Sequence, residues 1–307
     1  MISPSVRFQM WFLSNVVTRI IKAPPVSLTD REVHPPEVVM VKTRHGHVRC
    51  LITRPAEGAP LNLSGRAPVH INFHGGAFLI GAPAQDEHFT RGIAGEVGAY
   101  VVNVDYTTAP KAHFPRSHEE CFDVLTWVAG AGNEQGWDPE RISVGGGSAG
   151  AHLALGVLEL ARRVDGPRVS AAVLVVPLVD VASPSSALVS QIAKPMVSPG
   201  LMDVVNTAYF PSAATRTDVL ASPLLGGREE FASLPPLFVA SAEYDTLRPQ
   251  IESYVERARS FGVDVTYRSF EGVDHDFPIS GKVPPSLIQE LGTGIRDHLL
   301  AQLSQTA

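Results

Sequence analysis

Several things are scarce in this 307-residue chain, and each scarcity removes a class of function. There is no cluster of Lys or Arg, and the formal charge is −6, so a surface that displaces counterions from a nucleic acid is not expected. Cysteine occurs only twice, at Cys50 and Cys121, which cannot build a disulfide framework; with no C-x-x-C and no H-E-x-x-H, no metal site is expected. No internal repeat or low-complexity tract is visible. No run reaches the roughly 20 apolar residues of a membrane span. The nearest approach, Phe8 to Ile21, is interrupted by Gln9, Ser14, Asn15, Thr18 and Arg19 and is followed by no small-residue cleavage site. Its apolar residues recur at helical spacing, which predicts an amphipathic helix packed on the protein or capping it.

What is present is a large apolar fraction, 44%, enough for a sizeable core. After Pro35-Pro36, the runs Glu37 to Thr43 and His47 to Thr53 are joined by Arg44-His45-Gly46 and read as a hairpin. Short Val/Ile-rich runs follow at Val69 to Phe73, Tyr100 to Val104, Ile142 to Val144, Val169 to Val176 and Leu237 to Ala240, with a further strand at Val263 to Phe270. Helical stretches separate them: Cys121, Val124, Leu125 and Val128 share one helical face, and Ile251, Tyr254, Val255 and Ala258 another. This alternation predicts an α/β fold with a mostly parallel central sheet flanked by helices. Between Asp180 and Pro211 the rhythm stops, leaving prolines, serines and the apolar stretch Leu201 to Val205, as expected of an insertion that decorates the surface or roofs a pocket.

The densest chemical signal is Gly145-Gly146-Gly147-Ser148-Ala149-Gly150, between an apolar run and the helical stretch His152 to Arg163. It fits a nucleophile elbow, G-x-S-x-G, in which a sharp strand-to-helix turn exposes a serine hydroxyl. The same residues satisfy G-x-G-x-x-G through Gly145, Gly147 and Gly150, a dinucleotide fingerprint that would need an acidic residue about 20 positions on. Asp165 is at that distance but sits in Asp165-Gly166-Pro167, which reads as a turn. The string alone does not separate these readings from a plain glycine-rich turn.

The rest of the chain decides. A serine nucleophile needs a base, an acid that orients the base, and amide donors for an oxyanion. Glu243-Tyr244-Asp245 follows the strand 237–240, and Asp274-His275-Asp276 follows the strand 263–270, giving the order Ser, acid, His expected of this architecture. Of the 11 histidines only His275 lies on the loop directly after the last strand. Asp245 is preferred as the acid; Glu243 stays open, while Asp274 and Asp276 are too near His275 in sequence to face it easily. Ala149 and the loop His74-Gly75-Gly76-Ala77-Phe78, directly after an early strand, offer the amides.

Taken together, these motifs resemble the hormone-sensitive-lipase-like (bacterial family IV) esterases of the α/β-hydrolase superfamily. His74 to Phe78 is similar to the family's HGGG-F loop, Asp105-Tyr106-Thr107-Thr108-Ala109-Pro110 with Phe114-Pro115 to DYRLAP…FP, and Gly146 to Gly150 to GDSAG. Ala242 to Arg248 is similar to AE-DPLR, and His275-Asp276-Phe277 to HGF. The resemblance runs from about residue 40 to the C-terminus. It implies Ser148 as nucleophile, Asp245 as orienting acid and His275 as general base, with Gly75, Gly76, Ala77 and Ala149 at the oxyanion hole. It also implies a cap from residues 1–36 and part of 180–212, on a catalytic domain spanning 37–307. Three departures stand out: Gly147 in place of an acidic residue, Ala77 in place of a glycine, and Asp276 in place of a glycine.

The expected activity is hydrolysis of lipophilic short- to medium-chain carboxylic esters through an acyl-enzyme, with no cofactor. Trp11, Phe12, Met196, Leu201 and Met202 are expected in the apolar cap. An amide or formamide hydrolase would use the same machinery, and a small-molecule receptor on a hydrolase fold is a further alternative. A cytoplasmic protein without nucleic-acid partners is expected; peripheral membrane contact through the N-terminal helix and pairing into a homodimer stay open.

Overall fold

The computed structural model describes residues 4–62 and 66–304. Residues 1–3 and 305–307, the outer ends of the two regions expected from the sequence, lie outside the described residues. Eight strands form one sheet in the order β1-β2-β4-β3-β5-β6-β7-β8. The strands are β1 Glu37–Thr43, β2 Gly46–Thr53, β3 Ala67–Phe73, β4 Tyr100–Asp105, β5 Trp137–Gly147, β6 Ala171–Val175, β7 Leu237–Ala242 and β8 Val265–Phe270. The β1–β2 hairpin and the β2–β4 pair are antiparallel. Every later pairing, from β4–β3 across to β7–β8, is parallel.

Parallel strands are buried on both faces, so their side chains alternate between two cores. In β6, Leu174 joins the core that contains Ile71, Phe73, Val144 and Val239, while Val173 and Val175 join the opposite one with Phe238, Leu291, Ile295 and Leu299. Helices Arg116–Gly130, Ala149–Arg163 and Arg248–Ser260 bury residues in the first core, and Pro285–Leu303 in the second. The consequence for function is geometric: the parallel strands all end at one edge, so the loops after β3, β5, β7 and β8 meet there.

Two helical pieces stand over that edge. Helix Pro4–Phe12, continuing into the π-helical turn Leu13–Val17, lies against helix Pro199–Ala208 from the 180–212 segment. The latter is capped by Ser198, whose hydroxyl accepts from the Leu201 N–H at 3.1 Å, with Pro199 at its first turn. Among the described residues no helix is long and apolar enough to cross a membrane.

Candidate active site

Ser148 occupies the break between β5 and helix Ala149–Arg163 with φ 54° and ψ −116°, a conformation a non-glycine residue rarely adopts. Its own N–H donates to Val175 O at 2.8 Å, and its carbonyl accepts from His152 N–H at 3.0 Å, so neighbouring elements hold the strained residue on both sides. The glycines around it are not equivalent. A Cβ on Gly146 or Gly150 would collide with the carbonyl oxygen of Phe73, and one on Gly145 would lie 2.7 Å from Val173 O. These three let the elbow press against β3 and β6. A Cβ on Gly147 would meet nothing within 4 Å, so that glycine is not demanded by packing.

His275 stands on the loop after β8 and Asp245 on the loop after β7. His275 Nδ1–H donates to Asp245 Oδ2 at 2.7 Å, and Nε2 accepts from the Ser148 hydroxyl at 2.8 Å; the carboxylate, which can only accept, sets this tautomer. The second oxygen of Asp245 accepts the Leu247 N–H at 2.9 Å, so the carboxylate is held from both sides. The rival acids are otherwise engaged. Glu243 accepts the Gly272 N–H at 2.7 Å and so ties the acid loop to the histidine loop. Asp274 accepts the N–H groups of His275 and of Met196, both at 2.7 Å. Burial alone would disfavour the charged imidazole of His275. The charge and hydrogen bond of Asp245, joined by the charges of Asp274 and Asp276, outweigh it and raise the pKa above its ordinary value.

The loop after β3 is arranged by its carbonyls. Gly75 O accepts from Gln85 Nε2 at 2.9 Å and from His74 Nδ1 at 2.7 Å, and Gly76 O accepts from the N–H groups of Leu79 and Ile80, both at 2.9 Å. In a trans peptide the N–H points opposite to the preceding C=O, so anchoring these two carbonyls turns the N–H groups of Gly76 and Ala77 the other way. Neither has an acceptor among the described residues, and both residues line the cavity that contains Ser148 and Ala149. Gly76 has φ 123°, and a Cβ there would lie 2.7 Å from Ile80 O, so only glycine fits. Ala77 and Phe78 both have positive φ, 54° and 58°. Phe78 is locked by a buried ring stack on Tyr209, with centroids 4.4 Å apart, and by its carbonyl, which accepts Ala109 N–H at 2.8 Å. Below the loop, burial pushes His74 under its ordinary pKa; its ring stacks on Tyr106, whose hydroxyl donates to His74 O at 2.8 Å.

Two of these contributors, Gln85 as a brace and Tyr106 as a floor, are absent from the sequence reading of roles. Their contacts span 10 and 32 positions, and neither sits in a periodic pattern that would announce it.

A cavity of about 150 Å³ opens onto Ser148. Met196, Leu201 and Met202 line it as expected, together with Val197 and Val205. Trp11 and Phe12 do not: they are 55% and 41% exposed, and the N-terminal segment reaches the cavity through Leu13 and Ile21 instead. The helix turns its apolar residues to two sides, and Phe8, Trp11 and Phe12 cluster on the outer one. The residue that a dinucleotide site would need, Asp165, is exposed on the turn after helix Ala149–Arg163. Among the described residues, no group of three or more His, Cys, Asp or Glu is arranged to hold a metal ion.

A family model described as alpha/beta hydrolase fold matches residues 70–279 of this chain. Among curated proteins, carboxylesterase NlhH of Mycobacterium tuberculosis is 29% identical over 231 residues, covering 74% of this chain and 72% of the relative. Esterase LipI of the same organism is 32% identical over 235 residues, covering 75% and 71%. Among solved structures, EstE1, a thermophilic and thermostable carboxylesterase cloned from a metagenomic library, superposes with a TM-score of 0.82 at 28% identity, covering 99% of each chain.

Proposed function

The chain belongs to the alpha/beta hydrolase family, in its hormone-sensitive-lipase-like branch, and from that premise we propose that it is a serine carboxylesterase acting on lipophilic short- to medium-chain esters. The relatives' names support an ester hydrolase. The assignment of residues rests on one observation: a single imidazole lies 2.8 Å from a serine hydroxyl through Nε2 and 2.7 Å from a buried carboxylate through Nδ1.

In this reading Ser148 Oγ attacks the ester carbonyl carbon while its proton passes to His275 Nε2. The carbonyl oxygen becomes an oxyanion and accepts from the N–H groups of Gly76, Ala77 and Ala149; Gly75 contributes its anchored carbonyl rather than a donor. The C–O bond to the alcohol breaks, the alcohol leaves with the proton from Nε2, and Ser148 is left acylated. Water then attacks the acyl carbon, gives its proton to Nε2, and the acid leaves as Ser148 regains its hydrogen. Asp245 keeps Nδ1 protonated and stabilises the imidazolium at each stage. The mostly apolar lining from residues 196–205 and from Leu13 and Ile21 supports an uncharged substrate, and we assign residues 1–36 and 180–212 to a cap over a catalytic body of 37–307.

A series of p-nitrophenyl esters of increasing acyl length, run beside matched anilides, tests this reading. Peak kcat/KM at a short or medium acyl ester is expected. Faster turnover of the anilides, or a peak among long-chain esters, would contradict it.

A further inference from the structure

One wall of the cavity around Ser148 is neither apolar nor satisfied. Behind the elbow, on the face of the sheet that carries Val173, Val175, Ile93 and Ile295, the cavity is lined by Asn72, Gln85 and Asp86. All three are buried, with 6%, 1% and 5% exposure.

Their hydrogen bonds can be accounted for atom by atom. Asn72 Nδ2 donates to Asp86 Oδ2 and to Asn103 Oδ1, each at 3.0 Å. Gln85 Nε2 donates to Gly75 O at 2.9 Å. Asn72 Nδ2 faces Asn103 Oδ1, whose own Nδ2 is committed to Pro83 O, and Gln85 Nε2 faces a carbonyl, so neither amide can be turned around. What remains is the amide oxygens of Gln85 and Asn72 and the second carboxyl oxygen of Asp86. Gln85 Oε1 is buried without a donor; Asp86 Oδ1 and Asn72 Oδ1, which are not fully enclosed, receive no hydrogen bond among the described residues. A buried acceptor without a donor is unfavourable, so Gln85 Oε1, beside two further unengaged oxygens on the same wall, calls for a donor supplied from the cavity.

We propose that this wall is a substrate subsite that takes a hydroxyl-bearing arm of the ester, with Gln85, Asp86 and Asn72 accepting its O–H and selecting it over an all-carbon arm of the same length. The proposal rests on the reading of Ser148 as nucleophile, since the same cavity must hold the scissile carbonyl and the arm together. A neutral alcohol fits better than an ammonium. Burial pushes the Asp86 carboxyl from its ordinary 3.8 up to about 7, so near neutrality it is only partly ionised; the other acidic residue lining the cavity, Asp276, belongs to the His275 loop.

The test uses matched esters in a pH-stat at neutral pH: hexyl acetate against its ω-hydroxy and ω-amino counterparts, and methyl hexanoate against methyl ω-hydroxyhexanoate. Each ratio of kcat/KM is divided by the ratio for alkaline hydrolysis of the same pair. The hydroxy member of at least one pair is expected to be favoured by about tenfold, and Asp86→Leu should bring that ratio to within about twofold of unity. Asp86→Ala serves the same purpose where the leucine variant does not fold. Ratios near unity in the wild type, or a preference that survives both substitutions, would overturn the proposal and leave the wall as a site for water. Stronger selection of the ω-amino ester would overturn it in favour of a cation site. Hydrolysis of the plain esters without preference removes the subsite alone, whereas a protein that cleaves none of these esters removes the nucleophile reading as well.

Discussion

Asp245 and His275 come from loops 30 residues apart and meet at 2.7 Å, with the carboxylate fully enclosed and its other oxygen held by the Leu247 N–H. That contact fixes which imidazole nitrogen carries the proton. Asp245→Asn keeps the shape but offers a side chain that can donate to Nδ1 and so stabilise the wrong tautomer. A fall in kcat of about 10³–10⁴ on a p-nitrophenyl ester is expected, with KM little changed. Steady-state kinetics of the purified variant, with circular dichroism to confirm folding, checks this.

The neighbouring acids shape the pH profile. His275 must be neutral to accept the serine proton, so activity rises with pH through its pKa, which Asp245, Asp274 and Asp276 hold above the ordinary value. Asp274 also ties down two backbone N–H groups, so Asp276 is the cleaner position to change. Asp276→Asn removes one negative charge, makes the imidazolium easier to deprotonate, and should move the acid limb of kcat/KM to lower pH with the plateau retained. A limb that stays in place or moves to higher pH would contradict this.

Gln85 acts on the oxyanion through a carbonyl. Its amide anchors Gly75 O and thereby helps aim the Gly76 N–H. Gln85→Met retains length without the donor, leaving only the His74 hydrogen bond on that carbonyl. A kcat lower by about tenfold is expected, short of the 10²–10³ that follows outright loss of an oxyanion donor. A change in KM alone would show that Gln85 serves binding rather than aim.

The consecutive glycines before Ser148 separate under substitution. Gly147→Ala places a methyl where nothing lies within 4 Å, and it restricts the unfolded chain, so a gain of about 0.4–1 kcal/mol is expected in denaturant unfolding. Gly150→Ala drives the same methyl into the Phe73 carbonyl and should prevent accumulation of folded protein. An equal response at both positions would contradict this division.

Strand and helix positions were legible because each parallel strand is a short Val/Ile run and each flanking helix shows one apolar face. Observed strands differ from those read in sequence mainly at their ends: β5 extends from Trp137 to Gly147, whereas the apolar run is only Ile142 to Val144. The relative order of Ser148, Asp245 and His275 was also readable, since order along the chain becomes position along the sheet edge. Side-chain direction was not. Nothing in Glu243-Tyr244-Asp245 reveals which carboxylate turns to the imidazole, and nothing in Trp11-Phe12-Leu13 reveals that Leu13 turns inward while the two aromatics face out. The wall formed by Asn72, Gln85 and Asp86 was invisible for the same reason, because these polar groups meet, and Gln85 Oε1 is left without a donor, only once β3 and the turn after it are folded together.

The role of Ser148 as nucleophile is open to direct test by intact-protein mass spectrometry after exposure to a fluorophosphonate, paired with ester turnover. One adduct is expected, located on Ser148 and accompanied by complete loss of activity, and neither labelling nor turnover above about one part in 10³ of wild type in a folded Ser148→Ala variant. Labelling at another residue, or ester hydrolysis by Ser148→Ala at the wild-type rate, would contradict it.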